Sequence, residues 1–323
     1  MKDLQGRNIE YVRISITDRC NMRCLYCMPE GGVECLSHSE LLTYEEITEI
    51  VKLLTGMGIH AVRLTGGEPM ARRGCPGLIR MLKGIEGIDR LSMTSNGALL
   101  KGRMRELKEC GLDSLNISLD TLDAETFRRI TRTGDVSDVL SAVHEALDCG
   151  IRVKLNAVPI KGINEDGLCD VAALARELPI DVRFIELMPI GCGADLTPLP
   201  LNEVQLKLSE AFGELTKDES GHGLGPATYV KPAGFKGSIG FISALTHEFC
   251  GSCNRIRITP EGQLKLCLNH KSELDLRSML RSGCTSEEIS AAISDTILHK
   301  PVHHGFEENI SDREDIGMSR IGG

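Results

Sequence analysis

Apolar and polar positions alternate, with a β-branched bias, over residues 11–17, 61–65, 90–95, 114–120, 152–159 and 181–188, and helix-like sequence follows each segment. Helices are predicted over 43–57, 99–110 and 136–149. Thr43 and Glu46 form a capping-box pattern, while Gly111 and Gly150 close the second and third helices. Serial strand–helix units require parallel strands with right-handed crossovers, which leaves a doubly wound sheet or a barrel. The predicted fold is α/β, a partial (βα)6 TIM-type barrel. Polar groups collect where strands of such a barrel end: Cys20, then 66–68, 94–96, 118–120, Asn156 and 186–188.

After residue 196 the rhythm gives way to Pro- and Gly-rich sequence. The predicted division is therefore a barrel over 1–196 and a C-terminal extension over 197–323. In the extension a helix is expected near 202–212, strands at 240–243, 255–259 and 263–267, and a helix at 286–298, with a polar tail ending in Gly322-Gly323.

Composition narrows the function classes. A net charge of −9 and 3% aromatic residues argue against a general nucleic-acid binder, although a few gathered cations can still hold a small anion. No apolar run is long enough to cross a bilayer, no secretory leader is evident, and the protein is expected to be cytoplasmic. Thirteen cysteines are many for a reduced compartment, and the odd count fits a disulfide framework poorly. Their use points to metal or redox chemistry.

The run Cys20-Asn-Met-Arg-Cys24-Leu-Tyr-Cys27 places three thiols just after the first predicted strand. Three thiolates can hold three corners of a [4Fe–4S] cube and leave one iron open, the alternative being a zinc knuckle with a distant fourth ligand. Cys250, Cys253 and Cys267 form a second set of three, again readable as a cluster or as a zinc ribbon with His247 or His270. Between them Arg255 and Arg257 share one strand face, which suits a polyphosphate or, equally, a solvated surface. Arg13 and Arg63 interrupt otherwise apolar strands and so call for a polar cavity, whereas Arg72 and Arg73 read as surface residues. There is no P-loop sequence. The other cysteines read as structural, and the histidines show no ligand spacing.

The cysteine spacing, with an aromatic residue before the last thiol, and Gly66-Gly67-Glu68-Pro69 after the second strand resemble the radical S-adenosylmethionine (SAM) superfamily. Over the whole chain the pattern resembles the GTP 3′,8-cyclase family of molybdenum-cofactor biosynthesis. The carrying pieces are 13–20, 63–69, 94–97, 116–120, 161–164, 183–188, the second cysteine set and the terminal Gly-Gly. The resemblance implies two [4Fe–4S] clusters, held by Cys20, Cys24 and Cys27 and by Cys250, Cys253 and Cys267. It places Tyr26, Gly67, Ser118 and Met188 around SAM, with Glu68 able to accept from the SAM ammonium. Arg13, Arg63, Thr94, Lys161, Arg183, Arg255 and Arg257 would contact GTP, and Gly322 and Gly323 would enter the active site with Arg13, Arg255 and Arg257 in catalytic roles.

The implied reaction abstracts H3′ of the ribose and joins C3′ to C8 of guanine, giving (8S)-3′,8-cyclo-7,8-dihydroguanosine 5′-triphosphate. The implied partners are GTP, an electron donor such as flavodoxin or ferredoxin, and a downstream cyclic pyranopterin monophosphate synthase. No nucleic acid or membrane is expected, and the protein would act as a monomer or homodimer. One departure stands out: where related sequences often have a second cation two residues before Arg63, this chain has Ala61. Competing readings are a different radical SAM enzyme acting on a peptide or small molecule, and a non-enzymatic zinc-binding protein.

Overall fold

The structure is a computed structural model that describes residues 1–306 and 317–322. The first part of the chain alternates β1 (Tyr11–Ser15), α1 (Tyr44–Gly56), β2 (Ala61–Thr65), α2 (Cys75–Lys83), β3 (Arg90–Ser95), α3 (Met104–Glu109), β4 (Ser114–Ser118), α4 (Ala124–Thr131), α5 (Val136–Asp148), β5 (Arg152–Ala157), α6 (Leu168–Glu177) and β6 (Asp181–Ile185). There follow α7 (Leu201–Phe212), β7 (Thr216–Lys217), β8 (Thr228–Lys231), β9 (Ser238–Ile242), β10 (Arg255–Ile258), β11 (Gln263–Lys265), β12 (Leu274–Asp275), α8 (Leu276–Arg281), α9 (Ser286–Leu298) and α10 (Met318–Ile321).

All strands join one sheet in the order β12-β11-β10-β1-β2-β3-β4-β5-β6-β9-β8-β7. The stretch from β10 to β9 is parallel throughout, and the strands outside it are antiparallel. The six expected barrel strands therefore lie side by side in sequence order, and the C-terminal part extends the same parallel run at both ends.

The alternation seen in sequence sorts each strand into two faces. Val12, Ile14, Val62, Leu64, Leu91, Met93, Leu115, Ile117, Val153, Leu155, Val182 and Phe184 are buried in the main apolar cluster. Helix α1 contributes Ile47, Ile50, Val51 and Leu54 to it, and the expected capping box of Thr43 and Glu46 fixes its start. The opposite strand face, which carries Arg13, Arg63, Asn116, Lys154 and Arg183, is polar.

Two expectations change. The helix expected over 99–110 begins only at Met104, because Gly97 and Gly102 take positive φ of 86° and 74° in the turns before it. Arg72 is not a surface residue: it donates to the Ile16 carbonyl at 2.6 Å and the Leu42 carbonyl at 2.7 Å, and its Cζ lies 4.4 Å from the centre of the Tyr44 ring. It thus ties the end of β1 to the segment entering α1. Arg73 is exposed as expected. Arg72→Met leaves both carbonyls without their donor, so it is expected to lower the unfolding free energy by about 1–3 kcal/mol, read from denaturant midpoints at constant slope. Arg73→Met is expected to stay within about 0.5 kcal/mol of the parent.

Candidate functional site

Strand direction sets the layout. Cys20, Cys24 and Cys27 follow β1 and so lie beyond its C-terminal end, whereas Cys250 and Cys253 precede β10, which runs parallel to β1. Cys267 follows β11, which runs antiparallel to β10, and so returns to the N-terminal side. The two cysteine sets therefore sit toward opposite ends of the strands. Between them lies a cavity of about 260 Å³ whose lining includes Tyr26, Thr94, Ser118 and Met188, then Arg13, Arg255 and Arg257, then Cys250, Cys253 and Cys267.

At the first set, Cys20 Sγ accepts from the Met22 N–H at 3.4 Å and from Asn96 Nδ2 at 3.6 Å. Burial, with Cys20 and Cys192 nearby, pushes the Cys27 thiol up to about 12, and burial raises Cys24 as well. Three soft, half-buried donors suit a cationic iron centre, which would supply the charge that stabilises the thiolates. The donor set thus fits three corners of a [4Fe–4S] cluster.

The second set differs. Burial and Cys267 push Cys250 up to about 11; at Cys253 burial acts in the same sense, but Lys300 and Arg255 outweigh it and bring the thiol down to about 7. Lys300 Nζ donates to the Arg255 carbonyl at 2.9 Å, and Arg7 Nη1 donates to the Cys250 carbonyl at 2.9 Å. Neither brace is visible in the sequence pattern. His304, read from sequence as having no ligand spacing, is buried with Nε2 3.0 Å from Glu248, and both reach the Cys250 thiol closely enough to share a metal ion.

The glycines of Gly66-Gly67 serve the cysteine loop. A Cβ on Gly67 would stand 2.5 Å from the Arg19 carbonyl oxygen, one on Gly66 the same distance from that of Thr17, and the Gly67 N–H donates to Thr17 at 2.7 Å. Glu68 is fully buried and already engaged: it accepts from Ser95 Oγ at 2.9 and 3.0 Å, from the Asn96 N–H at 2.7 Å and from the Met70 N–H at 3.1 Å. Its place is a clamp between the ends of β2 and β3. Asp120 accepts from the Tyr26 hydroxyl and from the Val158 N–H, both at 2.8 Å, and burial pushes its carboxyl up to about 6.

On the polar face, register aligns Arg257, Arg13, Arg63 and Ser92 across neighbouring strands. Arg63 Nε donates to Ser92 Oγ at 3.2 Å. Arg183 donates to Asn156 at 2.6 and 2.9 Å and to Asn116 at 2.7 Å, and Lys154 pairs with Asp181 at 2.9 Å. Among the described residues none of Arg13, Arg63, Arg183, Arg255 and Arg257 has a carboxylate partner. Burial, with Tyr11 opposing it and Arg63 and Arg255 adding to it, brings Arg13 down to about 10, and burial with Arg13 and Arg255 holds Arg257 well below its ordinary value. Arg257 Nη1 donates to the Gly322 carbonyl at 2.5 Å, where the tail meets the ends of β1 and β2. A Cβ on Gly322 would lie 3.0 Å from Ser15 Cβ at φ +83°. Gly323 lies outside the described residues. Lys161 is exposed, with its N–H bonded to the Thr197 carbonyl; neither it nor Arg63, Arg183 or Gly67 lines the cavity, although Arg63 and Arg183 lie on the polar strand face beside it. Lys154, Asn116 and Asn156, by contrast, face the arginines.

Residues 14–175 match the radical SAM superfamily and residues 180–306 match Molybdenum Cofactor Synthesis C. The curated relatives include a GTP 3′,8-cyclase of Pelotomaculum thermopropionicum, 44% identical, and one of Clostridium perfringens, 42% identical, each covering all of both chains. The chain belongs to the GTP 3′,8-cyclase family of the radical SAM superfamily. Among solved structures, Streptococcus suis SuiB has the same fold, with a TM-score of 0.64 at 13% identity over 92% of this chain and 67% of that one. As a member of this family the chain uses SAM and [4Fe–4S] clusters. No described helix is long and apolar enough to cross a membrane.

Glu68 yields a pH test. Burial pushes its carboxyl up to about 7 from an ordinary 4.5, against its hydrogen-bond donors. The folded protein then keeps a proton that the unfolded chain has released, and stability falls as pH rises from about 4.5 through 7. Glu68→Gln is expected to remove that slope, worth about 3 kcal/mol across the window, in denaturant unfolding followed against pH.

Proposed function

We propose that the chain converts GTP to (8S)-3′,8-cyclo-7,8-dihydroguanosine 5′-triphosphate, the first step of molybdenum-cofactor biosynthesis. The observation that carries this reading is the row of carboxylate-free guanidiniums, Arg257 buried and Arg13 and Arg63 half-buried, between two sets of three cysteines. A triphosphate supplies the missing negative charge, and Arg offers it forked donors.

In this reading Cys20, Cys24 and Cys27 hold the cluster that binds SAM, with Tyr26, Gly67, Ser118 and Met188 around it. When bound there, SAM supplies a 5′-deoxyadenosyl radical for hydrogen abstraction. Cys250, Cys253 and Cys267 hold the auxiliary cluster at the guanine end. Arg13, Arg63, Thr94, Arg183, Arg255 and Arg257 grip GTP; Lys161 would have to reach it from the surface. Gly322 would help close the cleft through its carbonyl on Arg257, with Gly323 as its continuation in this reading only.

The chain's own work is to orient and to exclude water. Arg183 is held between Asn116 and Asn156, so its fork is set before substrate arrives. Tyr26 is fixed by Asp120 beside the site, and the sheet with its surrounding helices encloses the reacting atoms. The division near residue 196 separates SAM chemistry from the part that carries the auxiliary cluster. A flavodoxin or ferredoxin would supply electrons, and a cyclic pyranopterin monophosphate synthase would take the product.

Anaerobically prepared protein is expected to hold about eight irons with matching sulfide. With SAM, reductant and GTP it should form 5′-deoxyadenosine and an isomer of GTP in step, by mass spectrometry; deoxyadenosine without the isomer would mean another substrate. Arg255→Ala is expected to weaken GTP binding on the order of 10–100-fold. Unchanged affinity would favour a peptide or other small molecule instead.

A further inference from the structure

We propose that Tyr11 is a polyphosphate-binding residue of this chain, its phenol donating to a phosphate oxygen held among Arg13, Arg63 and Arg255. The inference deepens the reading of the site as one for a nucleoside triphosphate and rests on it.

Tyr11 opens β1 and shares the polar face with Arg13, two positions on. It is 4% exposed, and its hydroxyl proton has no acceptor among the described residues: the Arg13 side chain beside it can only donate to the phenol oxygen, and Arg13 Nε is itself unpaired. A buried phenol with no acceptor is uncommon, because the group loses water and gains nothing. The charged groups around it are Arg63, Arg13 and Arg255, all donors with no acceptor to offer. One anionic oxygen placed among them satisfies the phenol proton and the orphaned Arg13 Nε together. Burial opposes ionisation of the phenol, but the three guanidiniums outweigh it and lower its pKa, which makes Tyr11 a stronger donor.

The ring and the hydroxyl have separate tasks. Arg63 Cζ lies 5.4 Å from the ring centre, a contact that phenylalanine would keep. Across the sheet, the register partner of Tyr11 on β2 is Ala61, which presents only a methyl group to the same face. At this height on β2, with no cation to hold an anion, the neighbouring phenol provides the polar contact.

The experiment uses the cluster-loaded protein under anaerobic conditions, with GTP and inorganic tripolyphosphate as calorimetric probes. Tyr11→Phe is expected to weaken both about tenfold. Because the phenol proton has no protein acceptor and phenylalanine keeps the ring contact with Arg63, ligand-free thermal stability should stay close to that of the parent. Adding Ala61→Lys to Tyr11→Phe should recover most of the lost affinity. Unchanged tripolyphosphate affinity in Tyr11→Phe overturns the proposal, and so does a fall in ligand-free stability that accompanies the weaker binding. If the parent protein binds tripolyphosphate but not GTP, the cyclase reading fails while the tripolyphosphate comparison still decides the role of Tyr11.

Discussion

Five guanidiniums facing one another across a few strands repel, and their burial, nearly complete at Arg183 and Arg257 and partial at the others, withholds much of the water that would screen them. Coulomb energy grows as the effective dielectric falls, so the arrangement of Arg13, Arg63, Arg183, Arg255 and Arg257 is tolerable only with compensation. Part of it is local: Arg183 rests on two asparagine carbonyls, Arg63 on a serine hydroxyl, and Arg257 on the Gly322 carbonyl. These neutral acceptors bring no countercharge. Among the described residues no carboxylate supplies the remainder, and a triphosphate is a compact form in which several negative charges could enter such a cleft together. The same repulsion favours any anion bound there, which would relieve a cost already built into the fold.

Holding the cysteine loop close demands a different economy. The chain between β1 and Cys20 lies against the turn after β2 so closely that side chains at residues 66 and 67 would strike its carbonyls. With that packing in place, Glu68 turns inward and joins the ends of β2 and β3 through Ser95 and Asn96, and Asn96 in turn reaches Cys20. The Gly-Gly-Glu sequence therefore acts on the cysteine site through the protein's own backbone. Three donors, the Ser95 hydroxyl and the Asn96 and Met70 N–H groups, hold this glutamate in place.

Strand positions were legible because the period of two is strong: apolar residues at every second position locate the face against the helices, and the polar remainder identifies the other. The same rule, applied beyond the arginines, would have found Asn116, Lys154 and Asn156, whose polar side chains sit between buried Leu115, Ile117, Val153 and Leu155. Arg7 and Lys300 were not legible. Each bonds across a long loop of chain, from Arg7 to the carbonyls of Cys250 and Lys300 and from Lys300 to that of Arg255, and no local periodicity encodes contacts at such separation. Arg72 was misread for a related reason, since its partners are backbone carbonyls, which every sequence contains.

The direction of β10 has the widest consequence. Had it paired antiparallel to β1, the cysteines before it would have stood at the same end as Cys20, and the arginines would have faced a site open on one side. Parallel pairing instead puts one strand length between the two cysteine sets. A five-residue strand rises roughly 3.3 Å per residue, on the order of 16 Å in all. That spacing suits one elongated molecule read at both ends, a base against one metal centre and a ribose toward the other, better than it suits two centres acting on the same atom. The C-terminal part of the chain is then no appendage: without β10 the parallel run loses Arg255 and Arg257, and the cavity loses the end walled by Cys250, Cys253 and Cys267.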